Sequence, residues 1–343
     1  MNDRPAHRRL CVLLLQLGGP QTLPELESYL YNLYEDILPG PAAVRRPLAR
    51  IFARRRASEL VPQSAAQSGS RLLRETETQA DALRNTLEAL GWEAQVFVCM
   101  RYSSPHAIDG IEAARRDWND ATWIALPLHP QYSFTTTGTS MDELQDLLTE
   151  AELARLLHIR AYPADPLYLD AVSECVQHGL EQFANEQRDD VHIVFAAHGL
   201  PVRLVRKGDP FPEHLERTVA GTLERIGELP HTIAYQGNLR PLRCLEPSVE
   251  NALQALGRAG AERVLVVPVS SVAEHVETLQ DLDVRMRSVA EQAGIREFVR
   301  APTLDSSPKF IEALAQQILR ALPHSKDELQ RPPAAAPGAP QDG

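Results

Sequence analysis

The chain of 343 residues is long enough for about two domains, each with its own core, and 43% hydrophobic and 24% charged residues exclude a fibrous or disordered protein. A formal net charge of −11 excludes a protein built mainly to hold nucleic acid, because phosphate binding needs a concentrated basic face. The four cysteines, Cys11, Cys99, Cys175 and Cys244, form no C-x-x-C pair, so the expectation is a reducing, cytoplasmic setting without structural zinc or a disulfide framework.

The N-terminus, MNDRPAHRRLCVLLLQLGGP, has the outline of a signal peptide, but its apolar run spans only Cys11 to Leu15 and ends in a Gly-Gly-Pro turn without a small-residue cleavage site. It is read as a first strand, VLLLQL (12–17). Residues 21–70 then form an insertion whose opening is apolar at Leu26, Leu30, Leu33, Tyr34 and Ile37, a helical stripe that stops before Pro39 and Gly40. It is either a lid or a helix packed on its own domain. Arginines crowd residues 45–56 (RRPLARIFARRR), as a solvated helix face or as a contact for anionic lipid or a carboxylate.

Further apolar runs follow at AQVFVCM (94–100), TWIALPL (122–128), VHIVFAA (191–197), HTIAYQ (231–236) and RVLVVPV (263–269). They are short, β-branched or aliphatic, and separated mostly by helical patterns, which predicts α/β architecture with parallel strands buried on both faces. The tail from Ser325 is rich in Pro, Ala and Gly and is expected to be disordered over 325–343. No run approaches the ~18 apolar residues that would cross a membrane.

The six runs fall into two sets of three that can be laid on each other. LGGP (17–20) matches HGLP (198–201), MRYSSP matches QGNLRP, and LPLHPQYS matches VPVSSVAEH. The insertion at 21–70 has no equal in the second half. This predicts two pseudo-symmetric, doubly wound, Rossmann-like domains. They are placed at 8–165 and 166–307, with a C-terminal helix at about 308–322 packing back on the first.

Ligands of open parallel sheets sit beyond the carboxyl ends of the strands, so the residues there are the ones to weigh. They are Gly18, Gly19, Arg101, Tyr102, the stretch His129 to Ser133, His198, Gln236, and the cluster Glu274, His275 and Glu277. His198 follows an apolar strand at a tight turn. A helix starting near Ala273 sets Glu274, Glu277 and Asp281 within one narrow arc, either a solvated acidic face or a track for a divalent cation. TTTGTS (135–140) lacks the Gly-Lys ending of a phosphate loop and is read as helix capping, and KGDPFP (207–212) as a turn.

Taken together, LLLQLGGPQTLPELESYL, VCMRYSSP, LPLHPQYSFTTTGTS, AAHGLP, KGDPFP, AYQGNLRPLRCLEP and AEHVETLQDLD occur in the order and rough spacing of the ferrochelatases, from about residue 10 to about residue 322. The resemblance implies a two-domain chelatase-like lyase that inserts Fe²⁺ into a porphyrin. It also implies that His198 is the active-site histidine and Glu277 its paired carboxylate, both able to hold metal. Glu274, His275 and Asp281 would extend the track, and Arg101, Tyr102, Tyr132, Gly18 and Gly19 would line the porphyrin cleft under a lip at 21–40. Fe²⁺ is then substrate. No cofactor is permanently bound, and a tail without cysteine predicts no iron–sulfur cluster.

The chain departs from the pattern of the resemblance in four places. Arg285 stands where a further carboxylate is usual, Cys244 replaces a tryptophan, His129 an aromatic, and SGSR (68–71) a GGSP. Two other readings therefore stay open: a chelatase for another divalent metal, and a non-catalytic porphyrin or haem binder. Peripheral contact of the lip with a membrane is a further expectation.

Overall fold

The structure, a computed structural model, describes residues 9–20, 22–60, 65–237, 242–275 and 277–323, with only the backbone at 23, 59–60, 65–70 and 277. The tail expected to be disordered at 325–343 lies outside them.

Strand β1 (Arg9–Gln16) alternates sides along its length. Leu10, Val12 and Leu14 face one layer and Cys11, Leu13 and Leu15 the other, all at most 2% exposed. Both faces are apolar because helices cover both. β1 pairs in parallel with β2 (Glu93–Met100) on one side and β3 (Thr122–Pro127) on the other. The two-residue β4 (Leu157–His158) completes the order β2-β1-β3-β4.

The second sheet repeats this plan. β5 (His192–His198) is flanked by β6 (His231–Gln236) and β7 (Arg263–Val267), and β8 (Glu297–Arg300) gives the order β6-β5-β7-β8. All pairings are parallel. The predicted α/β class with two pseudo-symmetric parallel sheets is therefore observed. β4 and β8 were not legible, since two and four residues carry no apolar run of their own.

The expectation of one core per domain needs correction. The inner faces of the two sheets, Leu10, Val12 and Leu14 of β1 and Ile193, Phe195 and Ala197 of β5, belong to a single buried cluster. Helices α3 (Ala65–Ala89), α7 (Pro166–Leu180), α9 (Phe211–Ile226) and α12 (Pro308–Ala321) fill the layer between them with Leu83, Val172, Val219, Phe310 and Leu314. Each such fully buried side chain contributes about 1.5–3 kcal/mol, so the halves are held together by the same physics that holds each one. α12 rests on α3, α7 and β3. Asp165 caps α7 through the Leu167 and Tyr168 amides and accepts from Gln317 Nε2 at 2.8 Å and from Arg320, tying the start of α7 to the last helix. The outer faces are covered separately, the first sheet by α4 (Ala107–Asp117) and α5 (Thr139–Leu147), the second by α10 (Val249–Arg258) and α11 (Arg287–Gln292).

The insertion holds two helices, α1 (Leu23–Ile37) and α2 (Ala42–Leu60), that pack on each other around their own small core of Leu26, Leu30, Tyr34, Ile37, Ala49 and Ala53. Along one edge, Glu27 meets Arg54 at 2.9 Å, Tyr31 lies under Arg50, and Glu35 meets Arg46 at 2.8 Å. The falling numbers on α2 against the rising ones on α1 make this an antiparallel hairpin. Its core is separate from that of the sheets, and Leu242 of the second half packs against it.

Candidate active site

β5 delivers His198 opposite Gln236 of β6, and the tight turn behind it works only because residue 199 is glycine. A Cβ at Gly199 would run into the Gln236 carbonyl oxygen. The His198 amide donates to Ser270 Oγ at 2.9 Å, locking the turn to the end of β7. Around the His198 ring stand two more imidazoles, His129 with its ring centre at 6.0 Å and His275 at 6.4 Å. His129 leaves β3 of the first half, so the site is built from both sheets. Burial, with His198 and His275 adding to it, pushes the His129 pKa down to about 3. It is therefore a neutral ring at any physiological pH.

The acidic stretch differs from the expected helix starting near Ala273. The Glu274 amide donates to Asp305 at 2.9 Å and the His275 amide to Thr278 Oγ1 at 3.0 Å, so both donors are satisfied outside a helix. The helix starts at Glu277 and runs to Met286 as a π-helix before α11 begins. A π-helix of this length is rare, and such segments concentrate at functional sites.

Nor do Glu274 and Asp281 share one open arc. Glu274 is buried, with one carboxylate oxygen 2.8 Å from Arg300 and the other accepting from Thr278 at 2.7 Å. Arg300 also grips Asp283 at 2.6 and 3.0 Å, so Glu274 anchors the π-helix rather than facing a metal. Although burial opposes its charge, the pairs with Asp283 and Glu274 raise the Arg300 pKa. Asp281 accepts weakly from Gln236 Nε2 at 3.4 Å and pairs with Arg285 at 2.6 Å. Arg285 reaches Glu250 as well, at 2.9 Å, so its charge is taken up beside the track. The Glu277 side chain lies outside the described residues. Among the described residues no three His, Cys, Asp or Glu side chains converge on a point where a metal would bind.

The residues expected to line a porphyrin cleft divide in two groups. Tyr132 is half-buried, with the Arg160 guanidinium 4.8 Å from its ring centre and its amide donating to His214 Nδ1 at 3.1 Å. Tyr102 is a correction, because only 3% of it is exposed: its hydroxyl donates to Asp36 of α1 at 2.9 Å, and Tyr29 packs edge-on at 6.0 Å. Arg101 binds the same Asp36 at 2.8 Å and lies 3.7 Å from Glu143. Burial pushes the Glu143 carboxyl up to about 7, Arg101 opposing the rise and Asp36 adding to it. The pair therefore tethers the lip to the first sheet. Gly18 adopts φ +84°, where a Cβ would strike Ser103 Oγ, and the Gly19 amide donates to that same oxygen at 3.2 Å. Both glycines shape the turn after β1.

Two motifs carry more than the turn and cap chemistry assigned from sequence. Asp209 of KGDPFP is 3% exposed and accepts from Phe211 N, and also across the halves from Ser133 Oγ and Phe134 N, both at 2.8 Å. In TTTGTS the capping expectation gives way to a π-helical turn, Phe134–Gly138, leading into α5, with Ser133 as its cap. Sequence reasoning missed Ser270, Asp36 and Arg300 as site-building residues. They lie far along the chain from what they hold, and no local pattern marks them.

Against known proteins, the Ferrochelatase family profile matches residues 9–322. The ferrochelatase of Geotalea daltonii is 38% identical over 315 residues, spanning 90% of this chain and 97% of that one. The ferrochelatase of a Nostoc species is 39% identical over 324 residues, spanning 92% and 82%. Among solved structures, SirB from Bacillus subtilis with Fe³⁺ aligns at TM-score 0.54 and 13% identity over 75% of this chain and 92% of its own. DR2241 from Deinococcus radiodurans, described as multi-domain with similarity to chelatases, aligns at 0.51 and 14% over 92% and 55%. At such identities these two show a shared fold. The profile and the curated relatives go further: this chain belongs to the ferrochelatase family, the lyases of haem synthesis that insert iron into a porphyrin.

Proposed function

We propose that His198 and Glu277 are the groups that carry the insertion in this chain, with Fe²⁺ as substrate and without a resident cofactor. The observation that carries the reading is the placement of His198 at a β-strand end where both halves meet, between His129 and His275. Insertion removes two pyrrole protons and strips water from the ion. An imidazole is the side chain suited to accept a proton at neutral pH, and the carboxylate of Glu277 provides a second acceptor and a negative charge for the cation. Asp281 and His275 are the next groups outward, and Tyr132 and the lip bound the porphyrin. Glu277→Gln removes charge and proton acceptor at nearly constant shape, and is expected to slow turnover ten- to a hundredfold, roughly, with little change in porphyrin affinity. An unchanged kcat in anaerobic Fe²⁺ insertion would remove Glu277 from the mechanism.

We further propose a cytoplasmic protein that touches a membrane through α2. No helix among the described residues is long and apolar enough to cross one. Yet Val44, Leu48 and Ile51, spaced along one face of α2, are 52%, 37% and 59% exposed, and Arg45, Arg46, Arg50, Arg54, Arg55 and Arg56 flank them in a chain of net charge −11. That combination suits an anionic lipid surface. Vesicles containing phosphatidylglycerol should sediment the protein and neutral ones should not, with Ile51→Asp abolishing the binding. Equal partition of both proteins would refute the contact.

A further inference from the structure

The two halves present equivalent positions to the same residue. When LPLH (126–129) is laid on VPVS (267–270), His129 falls on Ser270. In the second half Ser270 holds the His198 main chain, accepting from its amide at 2.9 Å. In the first half the equivalent position reaches across and meets the His198 ring itself, centre to centre at 6.0 Å.

The support under His129 is rigid. The Leu128 amide donates to Leu15 O at 3.0 Å, and the buried Tyr162 hydroxyl lies 3.0 and 2.8 Å from the carbonyl oxygens of Pro127 and Leu128. His129 is only 8% exposed, and its ring nitrogens hydrogen-bond to no described residue. A hydrocarbon ring of similar size would fill the same space against His198, so its ring nitrogens are what set His129 apart.

We infer that His129 is a metal-selecting residue, a second nitrogen donor beside His198 that favours nitrogen-seeking divalent ions over Fe²⁺ during insertion. This rests on the reading that His198 receives the metal. Two imidazoles sharing one ion at about 2.1 Å from each nitrogen place their ring centres roughly 5–6.5 Å apart, the spacing found here. Exchanging a water ligand for an imidazole raises affinity for Co²⁺ and Zn²⁺ more than for Fe²⁺, because divalent affinities at nitrogen sites rise in that direction. His129 thus acts pairwise with His198, in keeping with the absence of a three-donor cluster among the described residues.

His129→Phe tests this while keeping the ring contact. Two readouts apply: Co²⁺ titrated anaerobically into the porphyrin-free protein and followed by its visible absorption, and the ratio of kcat/KM for Zn²⁺ and Co²⁺ to that for Fe²⁺. The expected result is about a tenfold fall in both ratios and a Co²⁺ dissociation constant about tenfold higher, the loss of about 1.4 kcal/mol. Unchanged ratios and an unchanged Co²⁺ titration in the folded variant overturn the inference, even if His198→Ala abolishes both. If Co²⁺ binding survives His198→Ala unaltered, the underlying reading fails instead. Should His129→Phe not fold, His129→Gln supplies the same two readouts.

Discussion

His198→Ala is expected to lower iron insertion by on the order of 10²-fold or more while porphyrin still binds within a few-fold of the wild-type affinity. The variant should fold, because the contact that locks the turn runs from the His198 amide to Ser270 Oγ and survives loss of the ring. What disappears is a proton acceptor placed between two other imidazoles, of which His129, its pKa pushed down to about 3 by burial, is too weak a base to replace it. The measurement is initial rate of haem formation under anaerobic conditions alongside quenching of porphyrin fluorescence on binding. A variant with wild-type kcat would remove the histidine from the chemistry. One that lost porphyrin binding and kept kcat at saturation would make it a binding residue.

The second large effect concerns stability. Arg300 is the only cation that a described contact places on both Glu274 and Asp283, and the three side chains are 12%, 7% and 30% exposed. Pairs this deep add little over an apolar replacement of all partners, but removing one partner leaves uncompensated buried charge. Arg300→Met should therefore cost about 3–5 kcal/mol and lower the melting temperature by on the order of 5–10 °C. Because Glu274 also accepts from Thr278, and Thr278 Oγ1 accepts from the His275 amide, the loss should reach the start of the π-helix and slow insertion as well. Adding Glu274→Gln to Arg300→Met should recover part of the stability, since it removes the stranded charge. A melting temperature unmoved in Arg300→Met, or additive losses in the double variant, would contradict the anchoring role.

Much of this architecture was legible from the chain. Six apolar runs became six strands because parallel strands between two helical layers are apolar on both faces, and the pairing of LGGP with HGLP and of LPLH with VPVS foretold two sheets of one order. What was hidden was long-range. β4 and β8 are strands only because β3 and β7 offer them an edge. The common core could not be read, since a helix stripe does not say which of two sheets it meets. Glu274 looks from sequence like the first rung of an acidic ladder, and only the arrival of Arg300 from β8 turns it inward. Tyr102 and Arg101 sit at a strand end as expected, but Asp36, more than sixty residues earlier, takes both and makes them a latch for the lip.

Arg285 shows the same limit. The resemblance marked it only as a cation where a carboxylate is usual, and the structure pairs it with Asp281, reinforced by Glu250 from α10. The guanidinium is thus part of a surface network, leaving His198 as the group to test.

The most direct test follows protons as well as porphyrin. Anaerobic wild-type protein is mixed with excess Fe²⁺ and porphyrin in weak buffer, and haem absorbance and proton release are recorded together. Many haems per protein are expected, with two protons released for each, because both pyrrole hydrogens must leave as iron enters. A single equivalent of bound porphyrin, with neither haem nor proton release, would contradict it.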